Sequence, residues 1–545
     1  MPWLDVLGGI MKLSLKSLAN RDIWADKNYE LPEFDYAKMV TATEKAPVWV
    51  HFGAGNIFRG FSAVLMQTLL NKGETEKGII VGEGFDYDII DKIYEPYGNN
   101  SLLVTLNSDG TISKKVVSSI AKAWKCDFSF ATEWDNFKKV FANPSLQMVT
   151  FTITEKGYAL GRKDNFFPFV AADFETGPNG ILNSMMSKIT ALVYHRYLNG
   201  KTPLALVSTD NCSHNGEKLQ KAVLTVAEKW IEKGFCEKGF TDYLQTKVSF
   251  PWSMIDKITP RPDSSVKKML ENDGFEDTEV VITGKNTYIA PFVNAERPEY
   301  LVIEDDFPNG RPALEKAGVY FTDRETVNNV EKMKVCTCLN PLHTCLAIYG
   351  CLLGYNLISE EMKDSVLNKM VNIIGYKEGM PVVVNPKILN PEKFIKEVLE
   401  VRIPNPFMPD TPQRIATDTS QKLSIRFGET IKAYIASSTL KTEDLKLIPL
   451  VFAGWLRYLL AIDDNGNAFT PSSDPRLESS QEFLKGIKLG DKGPFNEKLK
   501  PLLSDESLFG IDLYKAGLAE KVLNYFTELV ASPGAVRKTL EKYVQ

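Results

Sequence analysis

The sequence predicts an α/β fold: an N-terminal domain built on an open, mostly parallel sheet with helices on both faces, followed by a mainly α-helical domain. Three observations predict it. Short runs rich in Val, Ile, Leu and Thr alternate with amphipathic segments through the first half of the chain. From about residue 327 the pattern changes to long stretches with apolar residues three and four apart. At 545 residues the chain exceeds what a single hydrophobic core supports. The expected boundaries are 1–326 and 327–545.

In the first half, residues 48–52, 78–81, 102–106, 148–153 and 204–208 read as short buried parallel strands, with helical patterns at 59–72 and 217–233 between them. In the second half, helical spacing covers 327–353, 360–374, 391–401, 415–438, 445–462 and 517–530. Pro, Asn, Asp and Gly punctuate the gaps, as at Asn405-Pro-Phe-Met-Pro409 and Asp463-Asp-Asn-Gly466. No internal repeat or low-complexity tract is visible. Clefts between domains commonly hold substrates.

Composition excludes several classes. Hydrophobic content of 44% and charged content of 24% are ordinary for a globular protein. A net charge of −5 argues against a broad nucleic-acid surface, while one or two local cations suffice for a small anion. No stretch approaches the uninterrupted apolar run of about 20 residues that a membrane helix needs. The start Met-Pro-Trp-Leu-Asp-Val-Leu-Gly-Gly-Ile carries an acid rather than a basic leader, and Met11 looks the more natural beginning, so residues 1–10 are expected to be an upstream extension. The seven cysteines are scattered and Cys336-Thr-Cys338 fits neither a zinc ribbon nor a redox pair, so no metal site and a reducing cytoplasm are expected.

The run Val48-Trp-Val-His-Phe-Gly53-Ala-Gly55-Asn56-Ile57-Phe58-Arg59-Gly60 reads as a buried strand breaking into a glycine turn and then a helix. Gly53 and Gly55 permit close approach of a pyrophosphate, and the first helical amides at Asn56, Ile57, Phe58 and Arg59 would face it. Phe58 occupies the place of the usual third glycine. The next strand ends Gly82-Glu83-Gly-Phe-Asp86-Tyr-Asp88. One of these three acids, Glu83 being nearest the strand end, would accept from the adenosine ribose and repel a 2′-phosphate, which favours NAD over NADP.

The second cluster lies in Lys334-Val-Cys-Thr-Cys-Leu-Asn340-Pro-Leu-His343. Oxidising a secondary alcohol removes a hydroxyl proton as hydride leaves the carbon, and a Lys whose pKa is lowered can take that proton. Lys334 is the candidate base, Asn340 an oxyanion donor and His343 an orienting donor.

Several segments resemble the polyol-specific long-chain dehydrogenases. They are Gly53-Ala-Gly-Asn-Ile-Phe-Arg-Gly60, Thr154-Glu155-Lys-Gly-Tyr158, Ser208-Thr-Asp-Asn211-Cys-Ser-His-Asn215-Gly216 and Phe250-Pro-Trp-Ser-Met-Ile-Asp256-Lys-Ile-Thr-Pro260. Asn309-Gly-Arg-Pro312, the stretch from Lys334 to His343 and Arg414-Ile-Ala-Thr-Asp-Thr-Ser-Gln-Lys422 continue the likeness in the same order, from about residue 11 nearly to the C-terminus. The resemblance implies a Rossmann-type N-terminal domain, a helical C-terminal domain, NAD(P) dependence and no zinc. It makes Lys334 the general base, Asn211 and Asn340 the oxyanion pocket, His343 and Asp256 substrate-positioning groups, and Arg414 and Lys422 contacts to the distal end. Thr154 and Glu155 follow a strand, at the edge where ligands sit, and are expected near the nicotinamide.

One departure stands out. The family spaces its Lys and Asn five residues apart, whereas Lys334 and Asn340 are six apart, or about 120° around an ideal helix. Pro341 removes a helical donor, and a one-residue π-bulge between Lys334 and Asn340 is expected to restore a shared face, with Lys332 the substitute base otherwise.

Within the family, Glu296-Arg-Pro-Glu-Tyr-Leu-Val-Ile-Glu304 and the Asn405 to Lys422 stretch resemble the branch interconverting D-fructuronate and D-mannonate. Arg414 and Lys422, with Arg261 or Arg426 as further candidates, would neutralise a hexuronate carboxylate. The alternatives are tagaturonate/altronate or fructose/mannitol chemistry, or a nucleotide-binding sensor or scaffold without turnover. The expected partner is a small sugar acid or polyol, with no nucleic acid and no membrane. The sequence leaves oligomeric state open.

Overall fold

In a computed structural model, residues 11–162 and 165–545 are described, so the expected extension at 1–10 lies outside the described residues. The chain forms two compact units, Met1–Asn328 and Asn329–Gln545.

The first unit is built on six parallel strands: β1 (Trp49–Phe52), β2 (Ile79–Glu83), β3 (Ile120–Lys125), β4 (Met148–Phe151), β5 (Leu204–Ser208) and β6 (Val248–Ser249). Their order is β3-β2-β1-β4-β5-β6. This is the doubly wound arrangement, in which the chain reverses direction across the sheet between β1 and β4 and opens a ligand crevice beyond their carboxyl ends. Every residue of β1, β2, β4 and β5 is buried, as a sheet covered on both faces requires. Alternate side chains enter two separate cores. Val50, Phe52, Val149 and Leu206 join one with Phe137 and Trp230, while Trp49, Met148 and Val207 join the other with Met66 and Leu69.

His51 is the polar exception in β1. Its ring nitrogens lie 2.6 and 2.9 Å from the hydroxyls of Thr150 and Thr152. Burial pushes its pKa down to about 3, so it is a neutral structural imidazole.

The expected strand at 102–106 belongs elsewhere. Ser101–Leu106 pairs antiparallel with Ile112–Val117 and parallel with Phe292–Glu296 in a separate four-stranded sheet. The cause is the tight turn at Asn107-Ser-Asp-Gly110, closed by Asn107 N–H to Thr111 O at 3.0 Å, because so short a connection permits only a hairpin. β3 fills the edge of the main sheet instead.

In the second unit, α1 (Asn340–Leu353), α2 (Leu447–Leu459) and α3 (Ala519–Leu529) form the centre, with α2 packed against both others and buried at every residue. Gly454 lets α2 approach α1 closely, since a Cβ there would meet the Tyr349 ring at 2.6 Å. The helical stretch Arg324–Leu353 contains an 18-residue window apolar enough to cross a membrane, yet 78% of that window is buried in protein, the pattern of a core helix.

The helix expected at 415–438 is broken. Pro412–Ile415 ends before Asp418, which adopts φ +55°, and π-helical Ser424–Gly428 leads into Glu429–Ala436. The Asp474 carboxylate holds the break open by accepting from Ser420 N–H at 2.7 Å. The pattern at 360–374 is likewise split, between Ile358–Glu361 and Ser365–Ile373, because Asp364 accepts from Val366 N–H and Leu367 N–H and caps a new helix there.

Glu361 is fully buried against α1, and neither carboxyl oxygen has a hydrogen-bond partner among the described residues. A Cβ on Gly350 would lie 2.1 Å from its Oε1, so glycine makes the space this carboxyl occupies. Burial pushes the pKa of Glu361 well above the usual carboxylate range, and Asp364 adds to the shift. A group with a raised folded pKa contributes stability that is full below its unfolded value and is lost as pH rises through the folded one. Glu361→Gln should therefore melt higher than the parent at pH 8, with the gap closing toward about pH 4, where the unfolded carboxyl titrates. Thermal unfolding across pH checks this; a pH-independent gap would refute it.

Candidate active site

In the first unit the glycine turn follows β1, and its geometry separates two uses of glycine. Gly53 has φ +106°, donates its N–H to Gly82 O at 2.9 Å, and has Thr152 O 2.2 Å from where a Cβ would stand. The fold itself demands glycine there. At Gly55 a Cβ would meet no protein atom within 4 Å. The space beside Gly55 is open and lies next to the first turn of the helix, the kind of place where an anion can meet unpaired helix amides. Phe58 is buried and stacks on His51, with centroids 4.3 Å apart. Arg59 is buried beneath the turn, donating to Ala290 O and to Asn56 Oδ1, both at 2.8 Å. The side chains of Phe58 and Arg59 thus support the turn from inside the protein. Ile57 is half-buried and packs against the core on this side of the sheet.

The packing glycine absent at position 58 is supplied by Gly60, whose Cβ would meet Val293 at 3.0 Å and Thr259 at 3.3 Å. It lies in the π-helical turn Phe58–Ser62. That extra turn explains the displaced glycine, which the sequence pattern did not locate.

The three acids after β2 are engaged by protein. Glu83 accepts from Ala54 N–H at 2.9 Å, Phe85 N–H at 2.9 Å and Asp86 N–H at 3.1 Å, stapling the glycine turn to the next loop. Burial raises its pKa, opposed by these amides. Asp86 Oδ2 accepts from Thr283 and Thr287 hydroxyls at 2.6 Å each, and Asp88 from Gly284 N–H at 3.0 Å. Asp86 and Asp88 therefore latch the hairpin Val281–Ile282 with Tyr288–Ile289 onto the loop.

Beyond β4, Thr154 sits at φ +64° with its backbone exposed. Asp210, just after β5, holds it there by accepting from Ile153 N–H and Thr154 N–H at 2.9 Å and from Tyr158 Oη at 2.5 Å. Sequence reading passed over Asp210, although it lies inside one of the family segments. Glu155 pairs with Lys218 at 2.5 Å on the surface. Asn211 is exposed at the carboxyl end of β5. The loop after it is pinned by buried Asn215, which bonds Ser208 O, Asp210 O and Ser253 O. Asp256 is buried at the end of Ser253–Asp256, opposite Tyr300.

In the second unit the chain around Lys334 is a π-helix, Lys334–Cys338, directly before α1. Leu339 N–H bonds to Lys334 O at 3.1 Å, five residues back. Pro341 has no N–H to offer, and the Cys336 carbonyl accepts from Thr430 Oγ1 at 3.3 Å instead. The bulge expected between Lys334 and Asn340 is present. Lys334 is buried with 4% of its surface exposed, whereas Lys332 is exposed to solvent, so Lys334 is the enclosed amine of the two.

Asn340 opens α1, and its carbonyl accepts from Thr344 Oγ1 at 2.9 Å. Burial pushes the pKa of His343 down to about 4; Asp410 opposes this, while Arg402, Arg426 and Arg414 reinforce it. His343 is therefore neutral at physiological pH and offers one donor and one acceptor. Arg414 is largely exposed and paired with Asp410, and Lys422 donates to Thr417 O and, at 3.5 Å, to Ile415 O. Burial also lowers the pKa of Lys422, with Arg426 adding to the effect. Lys334, Asn340, His343, Arg414 and Lys422 thus share one unit, and the glycine turn, Asn211 and Asp256 share the other. Among the described residues no group of three or more His, Cys, Asp or Glu is arranged to hold a metal ion.

Residues 47–316 match the model described as the mannitol dehydrogenase Rossmann domain, and residues 326–530 match the mannitol dehydrogenase C-terminal domain. A D-mannonate oxidoreductase from Thermotoga maritima is 51% identical over 537 residues, covering 98% of this chain and 99% of that protein. The solved ternary complex of Pseudomonas fluorescens mannitol 2-dehydrogenase with NAD and D-mannitol superimposes with a TM-score of 0.69 at 25% identity, covering 98% of this chain and 99% of that one. A substrate-free D-sorbitol dehydrogenase shares the fold, with a TM-score of 0.73 at 23% identity over 92% of this chain and 97% of that one.

The two glycines of the turn should respond differently to alanine. Gly53→Ala introduces backbone strain of about 1–3 kcal/mol as well as a clash, and should lower the melting temperature. Gly55→Ala should leave melting unchanged while weakening dinucleotide binding, because its methyl enters ligand space. Thermal unfolding and NAD titration distinguish them; equal effects on melting would refute the division.

Proposed function

The chain belongs to the mannitol dehydrogenase family, and we propose that within it the protein is an NAD-dependent oxidoreductase interconverting D-fructuronate and D-mannonate. The observation that carries the chemistry is the enclosed Lys334 amine on a π-turn, one helical start away from Asn340 and His343. The near-full-length likeness to a D-mannonate oxidoreductase supports the substrate.

In this reading residues 1–326 bind NAD and residues 327–545 bind substrate and hold the base. NAD⁺, when bound, supplies the acceptor for the hydride. Gly53, Gly55 and the amides of Asn56, Ile57, Phe58 and Arg59 cradle its pyrophosphate, and the acids at Glu83 and Asp86 make the ribose end unfavourable for a 2′-phosphate. Thr154 and Glu155 lie on the nicotinamide side of the crevice.

Lys334 Nζ takes the proton of the reacting hydroxyl. The side-chain amides of Asn211 and Asn340 donate to the oxygen as it gains negative charge. Neutral His343, with Asp256, orients the substrate, while Arg414 and Lys422 line its distal end. Lys334 provides acid–base chemistry in both directions: in reduction it returns the proton to the alkoxide. The proposed setting is a reducing cytoplasm, consistent with seven free thiols.

Following NADH absorbance with D-mannonate, D-altronate and D-mannitol should show D-mannonate preferred; faster turnover of D-mannitol would overturn the substrate assignment. Lys334→Ala should lower kcat by about 10²–10⁴-fold with little change in NAD affinity. A near-normal rate in that variant would remove Lys334 from the mechanism.

A further inference from the structure

Four cations act electrostatically on the neighbourhood of His343 and Lys422: Arg402, Arg414, Lys422 and Arg426. Three have partners. Arg414 is paired with Asp410, Lys422 spends its donors on the carbonyls of Thr417 and Ile415, and Arg402 is engaged by interactions of its own. Arg426 differs. Its guanidinium donates through Nη1 to Thr344 Oγ1, and no Asp or Glu lies within ion-pair distance of it among the described residues. Among the described residues its guanidinium makes no other hydrogen bond to protein.

We propose that Arg426 is the residue that binds the substrate carboxylate, and that it thereby selects aldonates over neutral polyols. This rests on the reading of the site as a mannonate dehydrogenase. Arg426 is half-buried, and a partly desolvated guanidinium without a counter-ion keeps its remaining donors for a ligand that supplies the missing charge. Burial bears this out by lowering the pKa of Arg426 to about 10. Thr344 Oγ1, which receives Arg426, itself donates to the Asn340 carbonyl, so the guanidinium is held to the helical turn that carries Asn340 and His343. The carboxylate of D-mannonate lies at the opposite end of the sugar chain from the reacting carbon, and a guanidinium fork suits it with two parallel hydrogen bonds. A neutral polyol would leave the charge unpaired. Sequence reading placed Arg426 only as an accessory to Arg414 and Lys422; the pairing pattern makes it the principal anion receptor.

The test compares the parent, Arg426→Gln, Arg426→Lys and Arg414→Gln, each loaded with NAD, by steady-state kinetics and by calorimetric titration with D-mannonate and D-mannitol. Arg426→Gln should raise the KM and dissociation constant for D-mannonate about ten- to a hundredfold, the range of a lost charge-assisted pair, and cut the D-mannonate to D-mannitol preference at least tenfold. Arg426→Lys should recover part of that preference, and Arg414→Gln should change it less than Arg426→Gln does. A parallel fall for both ligands, or an unchanged D-mannonate constant in Arg426→Gln, would overturn the assignment. A parent that binds D-mannonate without oxidising it defeats the proposed reaction only, since Arg426 is still scored by the titration. A parent that neither binds nor oxidises D-mannonate defeats both.

Discussion

The backbone bond from Leu339 N–H to Lys334 O, spanning five residues instead of four, is the constraint on which the chemical half of the molecule depends. It ends one helix at an enclosed lysine and lets the next begin at an asparagine. Pro341 disfavours an uninterrupted α-helix here, because it has no N–H to donate and its ring crowds the Thr337 carbonyl four residues back. Thr430 then satisfies the Cys336 carbonyl, so the wider turn leaves that acceptor paired. π-turns are uncommon and concentrate where a side chain must be re-aimed. In this unit Ile374–Gly379, Val398–Arg402 and Ser424–Gly428 repeat the device, the last of them carrying Arg426.

The nucleotide half depends on a different device, polar side chains that hold loops by their backbone N–H and C=O groups. Glu83 ties the glycine turn to the segment after β2, Asp210 ties the segment after β4, and Asn215 ties the segment after β5. All three lie at or just beyond the carboxyl ends of parallel strands, where the fold opens its crevice. A carboxylate that accepts several amides is a rigid junction, since each lost bond would strand a buried charge. Rigid loops there hold Gly55 and Thr154, the proposed cofactor contacts, in fixed positions.

Much of this was legible in the amino-acid order, and what was not has physical reasons. The run at 204–208 was read as a strand from its apolar content and is one residue for residue. The run at 102–106 looked the same but is a hairpin arm, because its partner is set by the turn after it rather than by its own composition. β3 is harder to read because Lys122 and Lys125 interrupt its apolar residues, as charged residues do in an edge strand. The expected bulge near Lys334 could be found because Pro341 and a counted spacing both signalled it. The other π-turns carry no such mark. The burial that distinguishes Lys334 from Lys332, and the pairing that leaves Arg426 apart from Arg414 and Lys422, depend on contacts distant in sequence, as with Thr344.

The wide turn before α1 also bears on how such chains are matched to one another. Set without a gap against a relative whose lysine and asparagine stand five apart, this chain would show Val335 in the lysine column. A column-by-column comparison would then lose sight of the lysine proposed as the base. Superposing backbones, with the inserted residue assigned to the bulge, returns Lys334 to that column.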